Sequence, residues 1–492
     1  MREVPSIRIR ELNGGEARRE GRYVLYWMTS TRRLGWNFAL QRAVEVAGRF
    51  DVPLVILEAL RVGYEWASDR HHAFLLDGMR EHEEALRGRR GVLYLPYVEP
   101  AAGDGSGLLE RLAADAVLVV TDDWPCFFVP RMQEAAASRL SVRLEAVDGN
   151  GLYPMRDTRR VFPVAHAFRR HLQKTLAPHL ERLPVENPLD ALTVSERPEL
   201  PSGLTDRWRD ASATLRDGGP DLSALPIDHA VGPVERRGGT AAARRRLDAF
   251  LDRDLAGYGE RRNEPEADAA SGLSPWLHSG HVSAHEVFDA IARREDWSPS
   301  DLSDEVDGKR QGWWGLSPAA EAFLDELVTW REVGFNRCAH TDDYDRYESL
   351  PDWARTTLEE HESDEREHVY DLADFDAART HDELWNAAQV QLRREGRIHN
   401  YLRMLWGKKI LHWTESPRDA LSIMVELNNR YALDGRDPNS ASGIFWVLGR
   451  YDRPWGPERP VFGTVRYMSS ENTARKLRLR QYLERFSPEV SR

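Results

Sequence analysis

The sequence predicts an N-terminal α/β domain with a doubly wound parallel sheet, followed by an all-α C-terminal domain. Two observations indicate this arrangement. Short apolar runs alternate with amphipathic helical patterns between about residues 22 and 155, and helical patterns dominate from Thr240 onward. A chain of 492 residues is long enough for both domains, and a hydrophobic fraction of 41% is that of a globular protein.

The α/β domain is predicted to span residues 20–182. Its strands are expected in the runs YVLYW, VPLVILEAL, GVLYLPYV and AVLVVTDD, with helical patterns such as WNFALQRAVEVAGRF between them. Runs that are apolar on both faces are typical of parallel strands covered by helices on both sides. The alternation therefore predicts a doubly wound sheet.

Residues 183–238 are predicted to form a connector. Seven prolines and several glycines interrupt any periodicity there, so at most short helices are expected. The all-α domain is predicted over residues 239–492. Its helical patterns lie around residues 283–295, 318–339, 383–394, 398–414, 416–430 and 470–486.

Composition excludes several classes of protein. Cys126 and Cys338 are the only cysteines, which excludes a disulfide scaffold or a cysteine-based zinc site and predicts a reducing, cytoplasmic location. No apolar run approaches the length of a membrane helix, and the N-terminus lacks the apolar core of a secretory signal, so no membrane partner is expected. Phosphate-loop, nucleophile-elbow and H-E-x-x-H motifs are missing, so no metal site is predicted.

The net charge of −12 argues mildly against nucleic-acid binding, because DNA binders need local positive potential. Arginines nevertheless cluster in RREGR, at 244–246 and in RKLRLR. Each cluster fits either a solvated helix face or a basic binding surface, and charge alone does not decide between them.

The sixteen tryptophans are concentrated in the helical part of the chain. Trp406 and Trp413 are seven residues apart and so share one face of a predicted helix, and Trp385 lies on the helix before it. One interpretation is a large hydrophobic core. The other is a row of oxidisable rings that passes electrons to a buried cofactor.

Polar residues in the same region need partners. Asn428, Asp434 and Gly435 follow the end of a predicted helix, and Arg403, one helix earlier, can pair with one of these groups. Glu326 and Trp330 are four residues apart on one helical face. A glutamate beside an indole indicates either an acid in a dry pocket or a surface residue at a helix edge.

These segments together resemble a known family. The run LWNAAQVQLRREGRIHNYLRMLWGKKILHW, followed by LNNRYALDGRDPN, resembles the flavin-domain signature of class II cyclobutane pyrimidine dimer DNA photolyases, within the photolyase/cryptochrome family. YGERRNEP, SGLSPWLHSG and FLDELVTWREVGFN are similar to the same family. The resemblance covers most of the chain and weakens in the connector. It implies an α/β domain followed by a helical domain that binds FAD.

The resemblance also implies roles for individual residues around the cofactor. Those expected at the FAD diphosphate are Tyr258, Ala270, Ser271, Gly272, Leu273 and Ser274. Those expected at the ribose, isoalloxazine and adenine are Asn336, Arg403, Asp434 and Gly435. Asn428 would face flavin N5 and stabilise reduced flavin. An antenna chromophore, either a deazaflavin or a pterin, is left undetermined.

The substrate implied by the resemblance is UV-damaged DNA that contains cyclobutane pyrimidine dimers, bound by a monomer in the cytoplasm or on a bacterial nucleoid. Trp406 and then Trp385 would carry electrons between the flavin and the surface, with Trp413 as a branch. Glu326 would hydrogen-bond a flipped dimer, which Met404, Trp330 and Trp446 would enclose. The residues expected to contact the dimer region and nearby phosphates are Arg262, Asn263 and Arg453.

Some positions depart from the family pattern. Ser279 and His281 stand where phenylalanine and glutamine are usual, near the expected flavin phosphates, and Ser440 replaces a usual glycine. The segment GRYDRPWG is one residue shorter than is typical, which leaves the placement of Arg453 open.

Three alternatives to dimer repair are weighed. A cryptochrome-like photoreceptor without repair is disfavoured by the retained Glu326 and Trp446 and by the lack of a long tail after about residue 486. A DNA-damage binder that cannot be photoreduced is disfavoured by the intact Trp385 and Trp406. Specificity for 6-4 photoproducts is disfavoured because the motifs match the dimer group.

Overall fold

The computed structural model describes residues 2–488, which divide into two compact units. The first unit holds the described residues up to Thr158 together with Leu176–Leu247 and Leu273–Pro299. The second holds Arg159–Thr175, Asp248–Gly272 and the described residues from Ser300 onward. None of the helices in residues 2–488 is both long and apolar enough to cross a membrane.

The first unit is built on a six-stranded sheet. Its strands in chain order are β1 Ile9–Glu11, β2 Tyr23–Met28, β3 Leu54–Leu60, β4 Val92–Val98, β5 Ala116–Asp122 and β6 Leu144–Val147. The spatial order is β1-β6-β5-β2-β3-β4, and every neighbouring pair is parallel except β1 with β6. The chain builds outward from β2 in both directions, which confirms the predicted doubly wound fold. The sequence analysis did not predict β1 and β6, which are only three and four residues long.

Helices surround this sheet. The α-helices of the first unit are Phe38–Phe50, Asp69–Leu86, Leu108–Ala113, Val129–Arg139, Ala177–Leu180, Leu204–Arg207, Ser212–Arg216, Ser274–Ser279 and Ala284–Arg294, and Thr240–Arg253 runs across the boundary. Short 3₁₀ turns occur at Ser6–Arg8, Pro188–Ala191, Leu222–Ala224 and Pro299–Asp301. The segment predicted as a connector contains only short helices, as expected.

The second unit is helical. Its α-helices are Ala165–Thr175, Tyr258–Arg261, Pro318–Leu324, Arg331–His340, Asp352–Glu360, Leu372–Asp376, Glu383–Glu395, Asn400–His412, Pro417–Tyr431, Pro438–Val447, Ser470–Lys476 and Arg480–Phe486. A π-helical segment, Asp325–Trp330, joins two of them, and 3₁₀ turns lie at Leu255–Gly257 and Tyr347–Ser349.

The units do not divide the chain where the sequence boundaries do, because three helices and the start of a fourth lie in a different unit from the predicted one. Helix Ala165–Thr175 belongs to the second unit, where the Arg169 guanidinium donates to the Asp325 carboxylate at 2.7 and 3.0 Å in a buried ion pair. The segment that contains helix Ser274–Ser279 belongs to the first unit, where Trp276 Nε1 donates to the carbonyl of Arg237 at 3.0 Å. Neither interaction has a local signature in the sequence.

The edge of the sheet formed by the ends of β2 and β5 is closed by a protein carboxylate. Parallel sheets of this type bind ligands where the strand order reverses. Here Asp122 Oδ2 accepts hydrogen bonds from the backbone N–H groups of Thr29, Ser30 and Thr31 at 2.7, 2.8 and 3.0 Å. The amides that could receive an anion at this position are therefore already satisfied by the chain itself.

A buried ionic network lies on the other side of β2. The fully buried Glu58 carboxylate accepts hydrogen bonds from Arg32 at 2.8 Å, from His82 Nδ1 at 2.8 Å and from the Tyr94 hydroxyl at 2.6 Å. Burial alone raises the pKa of Glu58, but these three partners outweigh it and lower the pKa to about 2. The first unit therefore depends on an ionised carboxylate in its interior.

Glu58→Gln is expected to remove an acid-dependent part of the stability. Because the folded-state pKa lies below the unfolded value, the carboxylate stabilises the fold above the unfolded pKa, and that contribution is lost as pH falls toward the folded pKa. Between pH 5 and pH 3 the wild type should lose about 2 kcal/mol more unfolding free energy than the variant. Urea denaturation at both pH values measures this difference. Substitution of the exposed Glu84 by glutamine is the control, and parallel curves for wild type and Glu58→Gln would contradict the prediction.

Candidate active site

Three indole rings form a buried row in the second unit. Trp385 lies on helix Glu383–Glu395, and Trp406 and Trp413 lie on and directly after helix Asn400–His412. The Trp385 and Trp406 rings are stacked with centroids 6.5 Å apart, and the Trp385 and Trp413 rings meet at 69° and 6.3 Å. Both rings contact Trp385, which agrees with the prediction that the seven-residue spacing puts Trp406 and Trp413 on one helical face. Trp385 is the middle ring of the row.

Hydrogen bonds hold the two stacked indoles in place. Trp385 Nε1 donates to the carbonyl of Trp406 at 3.0 Å, and Trp406 Nε1 donates to Gln389 Oε1 at 2.9 Å. Trp385 is fully buried, so the predicted path from Trp406 to Trp385 does not reach the surface at Trp385. Trp413 continues the row, because its ring lies 4.8 Å from the ring of the exposed His381. The ring predicted as a branch is the outer end of the row.

A polar turn lies between helices Pro417–Tyr431 and Pro438–Val447. Arg403 Nη2 donates to Asp434 Oδ1 at 3.1 Å, which confirms that Arg403 pairs with a carboxylate of this turn. A Cβ atom at Gly435 would lie 2.9 Å from the carbonyl oxygen of Asn428, so glycine lets the turn pack against the end of the preceding helix. Buried Asn428 donates from Nδ2 to Ser440 Oγ at 2.8 Å. Ser440, a departure from the family pattern, therefore contacts a predicted site residue directly.

Buried polar atoms beside this turn fit a large polar cofactor. Within residues 2–488, Arg403 Nε is buried without a hydrogen bond. In the same described residues, neither ring nitrogen of His399 forms a hydrogen bond of standard geometry. The backbone of Arg262 nevertheless lies close to the His399 ring. Buried donors of this kind cost free energy unless a ligand or water satisfies them. His399 precedes Arg403 by four residues and lies on the same side of the helix. The set of donors and acceptors fits the polar parts of FAD.

His399 is not among the residues predicted from the sequence. Burial lowers the pKa of His399 to about 4, so the ring is neutral at physiological pH and offers one donor and one acceptor. Its position directly before helix Asn400–His412, one turn before Arg403, is visible in the sequence. The burial that makes the ring significant is not visible there.

Glu326 and Trp330 lie in the π-helical segment Asp325–Trp330. The four other side chains of this segment are buried, whereas Glu326 and Trp330 are half-buried and share the accessible side. The single helix predicted over 318–339 therefore contains an insertion of the kind often found at functional sites. This insertion has no signature in the sequence pattern.

Glu326 forms an ion pair with Arg262. Burial raises the pKa of Glu326, and the attraction to Arg262 offsets this only in part. The Arg262 guanidinium also lies 5.6 Å from the centre of the Tyr258 ring, which packs edge-on against Phe250 and Phe323. The structure thus groups Tyr258, expected at the cofactor diphosphate, with two residues expected at the dimer.

Trp446 and Met404, which are predicted to enclose the dimer, are half-buried. Two basic side chains flank the Trp446 ring: Arg466 at 5.7 Å and Lys408, whose pKa is lowered by burial to about 7, at 5.9 Å from its centre. Arg466 also lies 5.1 Å from the ring of the exposed Trp455. Arg466 and Trp455 are surface residues that the sequence analysis did not select.

The remaining predicted residues are placed as follows. Asn263 and Arg453 are exposed, and the Arg453 guanidinium lies 4.8 Å from the Trp455 ring. Asn336 is buried, and its amide bonds backbone groups of Arg160 and Phe162 at 3.0 and 3.4 Å, so much of its hydrogen-bonding capacity is used within the protein. The segment expected at the diphosphate is split: Ala270, Ser271 and Gly272 belong to the second unit, and Leu273 and Ser274 to the first.

Ser279 and His281 lie in the interior of the first unit. His281 Nδ1 accepts from the backbone N–H of Gly239 at 3.0 Å, and its ring packs against Phe74 with centroids 5.4 Å apart. Burial and the nearby His82 lower the pKa of His281 to about 3, so the ring is neutral. The Ser279 hydroxyl donates to the carbonyl of Pro275 at 2.8 Å. Both departures are therefore accommodated by contacts within the first unit.

Comparison with known proteins identifies relatives along the whole chain. The family model described as DNA photolyase matches residues 24–188. The deoxyribodipyrimidine photo-lyase of Methanothermobacter thermautotrophicus is 34% identical over 487 residues, which cover 98% of this chain and 98% of that protein. The protein of the same name from Potorous tridactylus is 30% identical over 479 residues, covering 94% of this chain and 81% of its own length.

The chain belongs to the DNA photolyase family. Solved structures of the same fold include a class III photolyase from Agrobacterium tumefaciens, with a TM-score of 0.64, 19% identity, and coverage of 96% of this chain and 87% of that one. A Synechocystis cryptochrome has a TM-score of 0.66 and 15% identity, covering 100% and 90%. Both confirm the photolyase/cryptochrome fold. Because this fold is shared by photolyases and cryptochromes, the fold alone does not assign an activity.

Helix Pro438–Val447 carries Ser440 and Trp446 and packs closely against two glycines of the second unit. A Cβ atom at Gly334 would lie 2.7 Å from the carbonyl oxygen of Pro438, and one at Gly407 would lie 2.6 Å from Val447 Cγ2. The first and last residues of this helix therefore each pack against a glycine that has no room for a side chain.

Gly334→Ala is expected to destabilise the protein by about 1–3 kcal/mol, because the backbone of helix Pro438–Val447 must move to admit the methyl group. Gly443→Ala is the matched control, since a Cβ atom at this position of the same helix meets no atom within 4 Å. The control should raise stability by about 0.5–1 kcal/mol through helix propensity. Equal effects of the two substitutions on the urea midpoint would contradict this account of the packing.

Proposed function

We propose that this chain is a class II photolyase that binds FAD and uses light to split cyclobutane pyrimidine dimers in DNA. The observation that carries the proposal is the row Trp406–Trp385–Trp413, whose inner ring stands on the same helix as Arg403. Three buried indoles whose neighbouring ring centroids lie 6.5 and 6.3 Å apart can serve as an electron path, and a path of this kind has a use only if a redox cofactor lies at one end. The full-length similarity to deoxyribodipyrimidine photo-lyases supports the same conclusion.

The cofactor would lie against Arg403, Asn428, His399 and the turn at Asp434. Arg403 and Trp406 are three residues apart on helix Asn400–His412, so a ligand held by Arg403 lies next to the inner ring of the row. The Arg403–Asp434 ion pair orients the guanidinium, and the buried Nε leaves one donor for the ligand. When bound and reduced, FAD supplies the electron that light transfers to the dimer.

The dimer pocket would be formed by Glu326, Trp330, Met404 and Trp446. The raised pKa of Glu326 brings this carboxyl group closer to its neutral form, in which it donates a hydrogen bond to a carbonyl of the dimer. Arg262 holds the carboxyl group in place and becomes available to phosphate when the dimer enters. The half-buried indoles supply apolar faces for a flipped nucleotide, which must leave the base stack to reach the cofactor.

DNA would bind the surface around the pocket despite the net negative charge of the chain. Arg453 and Arg466 are exposed and stand over the face of Trp455, and Arg466 also faces Trp446. Arginines interleaved with aromatic rings are typical of surfaces that bind a nucleic-acid backbone and unstacked bases. This arrangement gives the basic side chains a location directly beside the proposed pocket.

The pocket is tested by blue-light repair of an oligonucleotide with a single thymine cyclobutane dimer, using protein reduced beforehand and a dark control. The double variant Glu326→Ala/Trp446→Ala should repair about a hundredfold more slowly, because it loses both the hydrogen bond to the dimer and an apolar wall. Glu360→Ala, an exposed glutamate on another helix, should repair at the wild-type rate. Flavin-loaded, fully reduced wild type that leaves the dimer intact would contradict the proposal and favour a cryptochrome-like photoreceptor.

The electron path has a separate test. Trp385→Phe should slow photoreduction of the oxidised flavin at least about tenfold, because the middle ring of the row is lost, while repair by chemically reduced protein stays near the wild-type rate. Trp353→Phe removes a half-buried indole outside the row and serves as the control. Unchanged photoreduction in Trp385→Phe, with flavin content and thermal midpoint preserved, would show that the row is only a structural core.

A further inference from the structure

We propose that Ser440 is a positioning residue that takes up the second N–H of the Asn428 amide, so that only the amide oxygen is available to the flavin. The inference rests on the proposed function, since it takes Asn428 to face flavin N5. It concerns a residue at which this chain departs from the family pattern, where glycine is usual. Ser440 and Asn428 are both buried, and they are joined by a hydrogen bond of 2.8 Å.

A chain of hydrogen bonds decides which end of the amide is nitrogen. The backbone N–H of Arg436 donates to Asn429 Oδ1 at 2.9 Å, and a backbone N–H can only donate, so the Asn429 atom is an oxygen. The Asn428 atom that lies 3.1 Å from this oxygen must then be a donor, which is Nδ2. The opposite orientation would bring two amide oxygens together. The orientation thus follows from chemistry rather than from the similar shapes of the two ends of the amide.

Both N–H groups of Asn428 are used by this arrangement. One is directed to Asn429 Oδ1 and the other to Ser440 Oγ. An amide nitrogen carries two hydrogens, so no further donor remains for a ligand. Asn428 can therefore offer a ligand only its carbonyl oxygen. With glycine at position 440, the second N–H would have no partner on that helix and could turn toward the ligand.

The turn that anchors the chain of hydrogen bonds is itself constrained. Arg436 has a φ of 64°, a left-handed conformation that is unfavourable for a side chain of this size. The preceding Gly435 lies so close to the backbone of Asn428 and Asn429 that a Cβ atom there would be 2.9–3.0 Å away from them. These features direct the Arg436 N–H at Asn429, so the orientation of Asn428 is set before any cofactor binds.

A side chain that can only accept a hydrogen bond at N5 distinguishes oxidised flavin from reduced flavin. N5 of oxidised flavin is an acceptor, whereas N5 of reduced flavin carries a hydrogen and donates. The Asn428 oxygen would therefore accept a hydrogen bond from N5 of the reduced form alone, and in the oxidised form two acceptors would face each other. By engaging the second N–H of Asn428, Ser440 would keep a donor away from oxidised N5 and so shift the equilibrium toward the reduced flavin that repair requires.

The test is a spectroelectrochemical titration of the FAD-loaded protein. At a fixed potential, Ser440→Ala should raise the ratio of oxidised to reduced flavin about fivefold, the effect of losing one net hydrogen bond. Ser440→Thr keeps the hydroxyl and should restore the wild-type ratio. Ser442→Ala is the matched control, because it removes a buried serine hydroxyl from the same helix without touching Asn428. Flavin content and thermal midpoint are measured for every variant.

A positional role also requires that Ser440 act through Asn428. In an Asn428→Ala background, Ser440→Ala should therefore produce no further shift of the redox equilibrium. A wild-type potential in Ser440→Ala, or an equal shift in the Asn428→Ala background, would overturn the inference. If the wild type binds FAD but does not repair dimers, the proposed function is contradicted. The redox titration then still tests the role of Ser440. A chain that cannot be loaded with FAD would overturn both.

Discussion

The close packing of helix Pro438–Val447 is the constraint on which the rest of the candidate site depends. Its first residue lies against Gly334 and its last against Gly407, at distances that leave no room for a side chain. Interiors packed at this density transmit small displacements instead of absorbing them. The helix carries Ser440 near one end and Trp446 near the other, so a single packing geometry sets both the polar partner of Asn428 and an aromatic wall of the proposed pocket.

The second feature that organises the site is helix Asn400–His412. It carries Arg403, Met404 and Trp406 within one turn, and the three side chains serve three proposed roles: cofactor binding, pocket wall and electron path. Because consecutive helical residues point in different directions, one helix can serve several neighbours at once. Trp385 then extends the row from the adjacent helix, with its indole N–H donated to the backbone of Trp406.

Charge in this part of the molecule is held close to balance. The Arg169–Asp325 pair is buried directly beside the half-buried Glu326–Arg262 pair, and Arg403 is paired with Asp434. Buried ion pairs contribute little net stability, but the loss of one partner leaves an unpaired charge at a high cost. Each pair holds its side chains in one orientation. Glu326 differs in being only half-buried, as its proposed role in the dimer pocket requires.

Local sequence patterns were sufficient to predict the fold class, the four parallel strands β2 to β5, the main helices and the residues of the indole row, because apolar periodicity and residue spacing are local properties. It also predicted the Arg403 pairing, since an arginine and a carboxylate in neighbouring apolar segments need each other. Tertiary contacts were needed for the π-helical segment at Glu326, the outer position of Trp413, the burial of Arg403 Nε and of the His399 ring, and the contact from Ser440 to Asn428. These depend on which helices meet and how closely, and local sequence carries no information about distances between segments far apart in the chain.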